Sequence, residues 1–136
     1  MVRATTSVPE AIVVDASAMV EALIGSQLGV TVRTRFRGCE LHAPAHLDAE
    51  VLSTLGRLSR GGELDAASVS AALNELAIAP LVRHHLASLL ADAWAARDQL
   101  RLVDALYVEL SNALTATLVT TDSRLARVSP AAELVN

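Results

Sequence analysis

The sequence predicts an α/β fold in which a mostly parallel sheet is covered by helices on both faces. Three observations predict it. Ala11-Ile12-Val13-Val14 is a continuous β-branched apolar run, the mark of a strand buried on both faces. Residues 116–121, with Leu118 and Val119 between threonines, read as a second buried strand near the other end of the chain. Between them lie stretches whose apolar residues recur every three or four positions, as on the inner face of a helix. Short buried strands alternating with helices imply parallel pairing.

Residues 1–10 read as an irregular lead-in to the first strand, which ends at Asp15. Ser17 opens a helix to about residue 27, and a second short helix covers 30–37, with Gly25 and Gly29 between. A short strand at 41–43 is closed by Pro44. A helix over 46–60 carries Leu47, Val51, Leu55 and Leu58 on one face and stops at Gly61-Gly62. Another over 66–77 carries Val69, Leu73 and Leu76. Residues 78–82 read as a short strand. Residues 85–97 read as a helix with Leu86, Leu89, Leu90, Ala93 and Trp94 inward. Asp104 starts a helix through Leu106, Tyr107, Leu110 and Leu114. After the strand at 116–121 come Asp122, a short helix at 123–126, and an edge strand at 132–135. The chain, 136 residues long, is the size of one domain.

Composition narrows the function. Apolar residues are 52% of the chain, yet only Phe36, Trp94 and Tyr107 are aromatic. The core must be Ala, Leu and Val, and some apolar surface is expected to stay exposed for a partner, a homodimer included. The net charge of −4 argues against nucleic-acid binding by general electrostatics. It is compatible with an enzyme whose acids hold metal ions. All 11 basic residues are Arg. The absence of Lys excludes a P-loop, a Schiff base and a haloacid-dehalogenase-type phosphatase, which also needs an aspartate where Ser17 stands. Cys39 stands alone, so internal disulfides and Cys-rich zinc sites are excluded. No apolar signal core and no membrane-length apolar stretch occurs, which reads as a cytoplasmic protein with no membrane span.

Four acids stand out. Asp15 and Asp122 each follow a buried strand and precede a helix, so both should emerge at the carboxyl edge of the sheet, where ligands bind in open parallel sheets. A helix starting at Asp104 and running antiparallel to the strand after it brings that residue to the same edge. Glu50 flanks the apolar stripe of its helix with no basic residue at helical spacing before it, and a metal ion is an economical partner for it. Each acid also has a plainer reading, as a helix N-cap for the aspartates and a surface residue for Glu50. Taken together, four hard oxygen donors suit Mg²⁺ or Mn²⁺.

Other residues carry less. Arg33, Arg35 and Arg37 read as a solvated helix face rather than as contacts to phosphate. Arg124 and Arg127, just after Asp122, are better placed for contact with a substrate. Asp48 should face away from Glu50. His42, His46, His84 and His85 read as structural or surface residues, and Tyr107 and Trp94 as core or interface residues.

The segments Val13-Val14-Asp15-Ala16-Ser17-Ala18-Met19-Val20, Asp104-Ala105-Leu106-Tyr107-Val108-Glu109-Leu110 and Leu118-Val119-Thr120-Thr121-Asp122-Ser123-Arg124-Leu125 resemble the motifs of PIN domains. So does Pro44 ahead of the helical Glu50. Among PIN domains the chain looks most like the small bacterial VapC toxins. The resemblance implies a three-layer fold around a parallel sheet of about five strands. It implies a Mg²⁺- or Mn²⁺-dependent ribonuclease that leaves 5′-phosphate and 3′-hydroxyl ends, with Asp15, Glu50, Asp104 and Asp122 as its acidic set. On this reading Asp15, Asp104 and Asp122 hold the ion, and Glu50 completes the shell or orients the attacking water. Ser17 and Thr120 match the hydroxyl residues that orient the carboxylates. The implied partners are a VapB-like antitoxin and structured tRNA or rRNA. The alternative is a partner-binding module that kept the fold without the catalysis.

Overall fold

The computed structural model describes residues 8–136. Within them, β1 (Glu10–Val14), β2 (Cys39–Pro44), β3 (Leu81–His84), β4 (Thr117–Thr120) and β5 (Ala132–Leu134) form one sheet in the order β3-β2-β1-β4-β5. Every pairing is parallel. The helices are α1 (Ala16–Ile24), α2 (Gln27–Phe36), α3 (Leu47–Arg60), α4 (Ala66–Ile78), α5 (Leu90–Ala95), α6 (Leu102–Leu114) and α7 (Ser123–Val128). The predicted lead-in is shorter than expected, because Glu10 already belongs to β1; residues 1–7 lie outside the described part.

The strand order contains the feature that places the site. The chain builds outward from β1 through β2 to β3, then returns to the other side of β1 for β4 and β5. The direction of winding reverses between β1 and β4. A crevice opens at such a switch point, outside the carboxyl ends of the two strands. Asp15 follows β1 and Asp122 lies two residues past β4.

Ile12, Val13 and Val14 are completely buried, so both faces of β1 are covered. α6 packs on β1, β2 and β4 and carries α5 on its outer side, while α1 packs with α2, α3 and α4. The stripe Leu47, Val51 and Leu55 is fully buried, as the spacing predicts. α1 and α2 approach closely at Gly29, where an added Cβ would stand 2.0 Å from the carbonyl oxygen of Glu21. Only glycine fits there. Gly25, with φ +68°, ends α1 in the left-handed conformation and lets the chain turn into α2.

Two elements differ from the sequence reading. The strand expected at 78–82 begins at Leu81, and Ile78 closes α4 with its side chain exposed. Pro80 is the reason: it disfavours helix at Ala79, which is extended at ψ 141°. The helix expected over 85–97 is instead a 3₁₀ turn at Ala87–Leu89 followed by the six residues of α5. Leu89 and Ala93 are buried, but Leu90 and Trp94 are more than half exposed. A helix this short on the outside of α6 buries one narrow stripe, and Trp94 instead carries the Arg97 guanidinium 4.6 Å above its ring.

Candidate active site

Asp15 is the buried centre of the site, 5% exposed. As the N-cap of α1 it accepts the Ala18 N–H on Oδ1 at 3.0 Å. The same oxygen accepts the Ser17 hydroxyl at 2.7 Å, and Oδ2 accepts the Thr120 hydroxyl at 2.5 Å. Each hydroxyl is also held from the β4 side. Ser17 accepts the backbone N–H of Thr121 at 3.1 Å, and Thr120 accepts that of Asp122 at 3.0 Å. Two hydroxyls thus tie the aspartate after β1 to the backbone leading into α7. Burial pushes the Asp15 carboxyl above its ordinary value and the charge of Asp122 adds to this, while the three hydrogen bonds act in the opposite direction.

Asp122 caps α7 through Oδ1, which accepts the N–H groups of Arg124 and Leu125. Its Oδ2 lies 3.5 Å from the exposed Arg124 guanidinium. The N-cap reading of Asp15 and Asp122 is therefore true and does not exclude a site, since each cap leaves its carboxylate lining the cleft. For Asp104 the cap reading fails. α6 begins at Leu102, so Asp104 stands in the first turn, and Arg101 occupies the cap position. Arg101 donates to Asp104 from Nε at 3.0 Å. Its guanidinium also feels Glu50 and Asp122, and its pKa is raised mainly by the hydrogen bond to Asp104.

Glu50, for which a metal ion read as an economical partner, also has protein partners. Its Oε1 accepts the Tyr107 hydroxyl at 2.5 Å and lies 3.4 Å from Nε2 of His46. Burial, with the hydrogen bond and charge of Glu50, holds the Tyr107 hydroxyl far above its ordinary value, so it stays a donor.

Asp15, Glu50, Asp104 and Asp122 line one cleft of about 360 Å³ together with Ser17, Arg57 and Arg101. Three surface depressions are larger, about 660, 620 and 390 Å³, and the last has no charged side chain in its lining. The first is lined by Arg35, Glu10 and Glu133, which pair with one another, and the second by a single acid, Glu109. The smaller cleft is the one that gathers four carboxylates from four separate segments of the chain.

A PIN domain model matches residues 12–130. The chain belongs to the PIN-domain family. Within that family it falls among the VapC ribonucleases. It is 56% identical over 131 residues to Ribonuclease VapC3 of Mycobacterium tuberculosis, covering 96% of each chain. It is 35% identical over 117 residues to Ribonuclease VapC12 of the same organism, covering 85% of this chain and 90% of the relative. Among solved structures, PAE2754 from Pyrobaculum aerophilum superimposes with a TM-score of 0.73 at 22% identity, covering 93% of this chain and 90% of that one. VapC20 of M. tuberculosis, described as a sarcin-ricin loop cleaving toxin, superimposes with a TM-score of 0.61 at 20% identity, covering 85% and 93%. Both solved structures have this chain's PIN fold.

The donor set of this PIN domain suits a hard divalent cation. It is all carboxylate oxygen, and the three donors to buried Asp15 are all neutral, so its charge is not compensated by the protein. The side chains are not closed on an ion as they stand: among the described residues, no group of three His, Cys, Asp or Glu is arranged to hold one. Arg101 engages Asp104 and Tyr107 engages Glu50.

Five polar cleft residues went unremarked in the sequence as parts of the site: Ser53, Thr54, Arg57, Arg101 and Tyr107. The signal was spacing. Arg101, Asp104 and Tyr107 are three apart along one face of α6, and Arg57 is two turns beyond Glu50 on α3. Arg124 and Arg127 are both exposed and neither lines the cleft, although Arg124 stands beside Asp122. Arg33 and Arg37 are exposed, as expected of a solvated face, whereas Arg35 is half-buried. Arg33 pairs with Glu75 at 2.7 Å, and Arg35 joins Glu10 to Glu133 at 2.9 and 2.6 Å. Asp48 turns away from Glu50 and pairs with Arg83. His42 joins Glu40 to His84 on the strands. No helix in the described residues is long and apolar enough to cross a membrane.

Proposed function

We propose that this chain is a divalent-metal-dependent endoribonuclease and the toxin of a toxin–antitoxin pair. The observation that carries the reading is the gathering of four carboxylates at the switch point between β1 and β4, in a chain 56% identical to a VapC ribonuclease. Asp15, Asp104 and Asp122 would hold Mg²⁺ or Mn²⁺. When bound, the ion supplies Lewis-acid chemistry that offsets the charge building on the phosphoryl oxygens.

The chain's own residues do the rest. Ser17 and Thr120 fix the Asp15 carboxylate. Glu50 takes the proton of the attacking water. The water oxygen bonds to phosphorus as the bond to O3′ breaks, so the ends are a 5′-phosphate and a 3′-hydroxyl. Arg57, Arg101 and Arg124 around the cleft give phosphates a local attraction that the acidic chain as a whole does not. The substrate is a structured tRNA or rRNA. The partners are a VapB-like antitoxin and a second copy of the chain, for which exposed Trp94, Leu90, Leu102 and Val103 supply apolar surface.

The test is incubation of the purified chain with total RNA, with and without Mn²⁺, followed by mapping of 5′ ends. New 5′-phosphate ends that need the metal are expected. No cleavage under any metal condition would favour the non-catalytic partner-binding module.

A further inference from the structure

α3 and α6 are not closely packed along their lengths. Two side-chain hydrogen bonds join them at the cleft, and they run in opposite senses. Tyr107 of α6 donates its hydroxyl proton to Glu50 of α3 at 2.5 Å. His46, at the start of α3, reaches back to the first turn of α6, where its Nε2 lies 3.0 Å from the carbonyl oxygen of Val103. That oxygen can only accept, so Nε2 carries the proton. The two rings lie against each other, with centroids 4.7 Å apart.

The placement is specific to the acids. Val103 is the residue before Asp104, and His46 is one helical turn before Glu50. Each bond therefore anchors the backbone beside one acid or the acid itself. Tyr107 is 1% exposed and His46 Nδ1 is buried without a partner, so the pair is built into the interior. Packing alone does not require a hydroxyl at that depth, since a phenylalanine ring would fill the same space with nothing to satisfy. The hydroxyl occupies Oε1 of Glu50 and leaves Oε2 available to the cleft.

We propose that Tyr107 and His46 form a two-bond clamp between α3 and α6 that sets Glu50 against Asp104, with Tyr107 the positioning residue for Glu50 in phosphodiester hydrolysis. The proposal rests on the ribonuclease reading above. It gives Glu50 one fixed oxygen and one working oxygen, which suits an acceptor for the proton of water better than a chelating ligand.

The test uses Tyr107→Phe, which keeps the ring, and an RNA oligonucleotide spanning a cleavage site mapped in total RNA. A loss in kcat of about tenfold or more is expected, with KM unchanged within about twofold, because positioning is lost and binding is not. Mn²⁺ affinity, read by calorimetry without RNA, should stay within about twofold of wild type. Since Tyr107 acts through Glu50, adding Tyr107→Phe to Glu50→Gln should cause no further loss. His46→Ala should give a smaller loss of the same kind. Full kcat in a folded Tyr107→Phe chain, or losses that multiply in the double variant, would overturn the clamp alone. An inactive wild-type chain would overturn the ribonuclease reading and the clamp's catalytic role with it.

Discussion

Thr120 donates its hydroxyl to the buried Oδ2 of Asp15 at 2.5 Å, joining the ends of two neighbouring central strands. The same oxygen of Thr120 accepts the backbone N–H of Asp122, so one hydroxyl sets both aspartates. Thr120→Val keeps the shape and removes the bond. It leaves a buried carboxylate oxygen and a backbone N–H without partners, and a loss of about 2–3 kcal/mol is expected for bonds to a charged group. Urea unfolding of the two chains checks this.

Asp15 should also make stability depend on pH in the less usual direction. Its carboxyl is held above the ordinary 3.8, chiefly by burial, so the folded state binds the proton more tightly than the unfolded state does. The cost of its charge is fully present above the folded pKa and is relieved as pH falls through that value toward the unfolded one. Asp15→Asn keeps the cap of α1 and lacks the charge. Without metal it should be more stable than wild type at neutral pH, and the difference should shrink toward about pH 4. Denaturation in EDTA at the two pH values reads this out.

Arg101 pairs with Asp104, one of the carboxylates proposed to hold the cation, so on that proposal it would compete with the ion. The guanidinium is mostly exposed, so the pair is worth at most about 1 kcal/mol. Arg101→Ala should therefore tighten Mn²⁺ binding by up to about fivefold in calorimetry without RNA. Weaker binding would mean that Arg101 supports the site rather than competing for it.

Gly29 tests the packing that supports α1 and hence Asp15. At an ordinary helical position, Gly→Ala adds about 1 kcal/mol of stability. Here the new Cβ would overlap the Glu21 carbonyl, so Gly29→Ala should instead cost about 1–3 kcal/mol or more, read as a lowered Tm.

How legible the molecule was in its sequence depended on how local each cause is. β1 could be read because a strand buried on both faces is a continuous apolar run, β4 from Leu118 and Val119 between threonines, and Asp15 and Asp122 followed from their ends. Asp104 came in through the antiparallel sense of a helix and its next strand, although α6 starts two residues earlier than expected. The bond from Tyr107 to Glu50 spans 57 positions and two helices, and no local pattern announces it. Arg35 was misread for the same reason, because its partners Glu10 and Glu133 come from two different strands. α5 failed because an Ala- and Leu-rich segment reads as a full helix wherever it lies, and only its place outside α6 decides how much of it is buried.

The central claim is that the cleft between β1 and β4 cuts RNA through its carboxylates. The most direct measurement is cleavage of RNA by wild-type chain and Asp15→Asn in parallel, each with Mn²⁺, with EDTA, and with Mn²⁺ restored. Cleavage by wild type alone is predicted, lost in EDTA and regained with the metal, while Asp15→Asn stays folded and inactive throughout. Equal cleavage by the two chains, or cleavage that persists in EDTA, would contradict the claim.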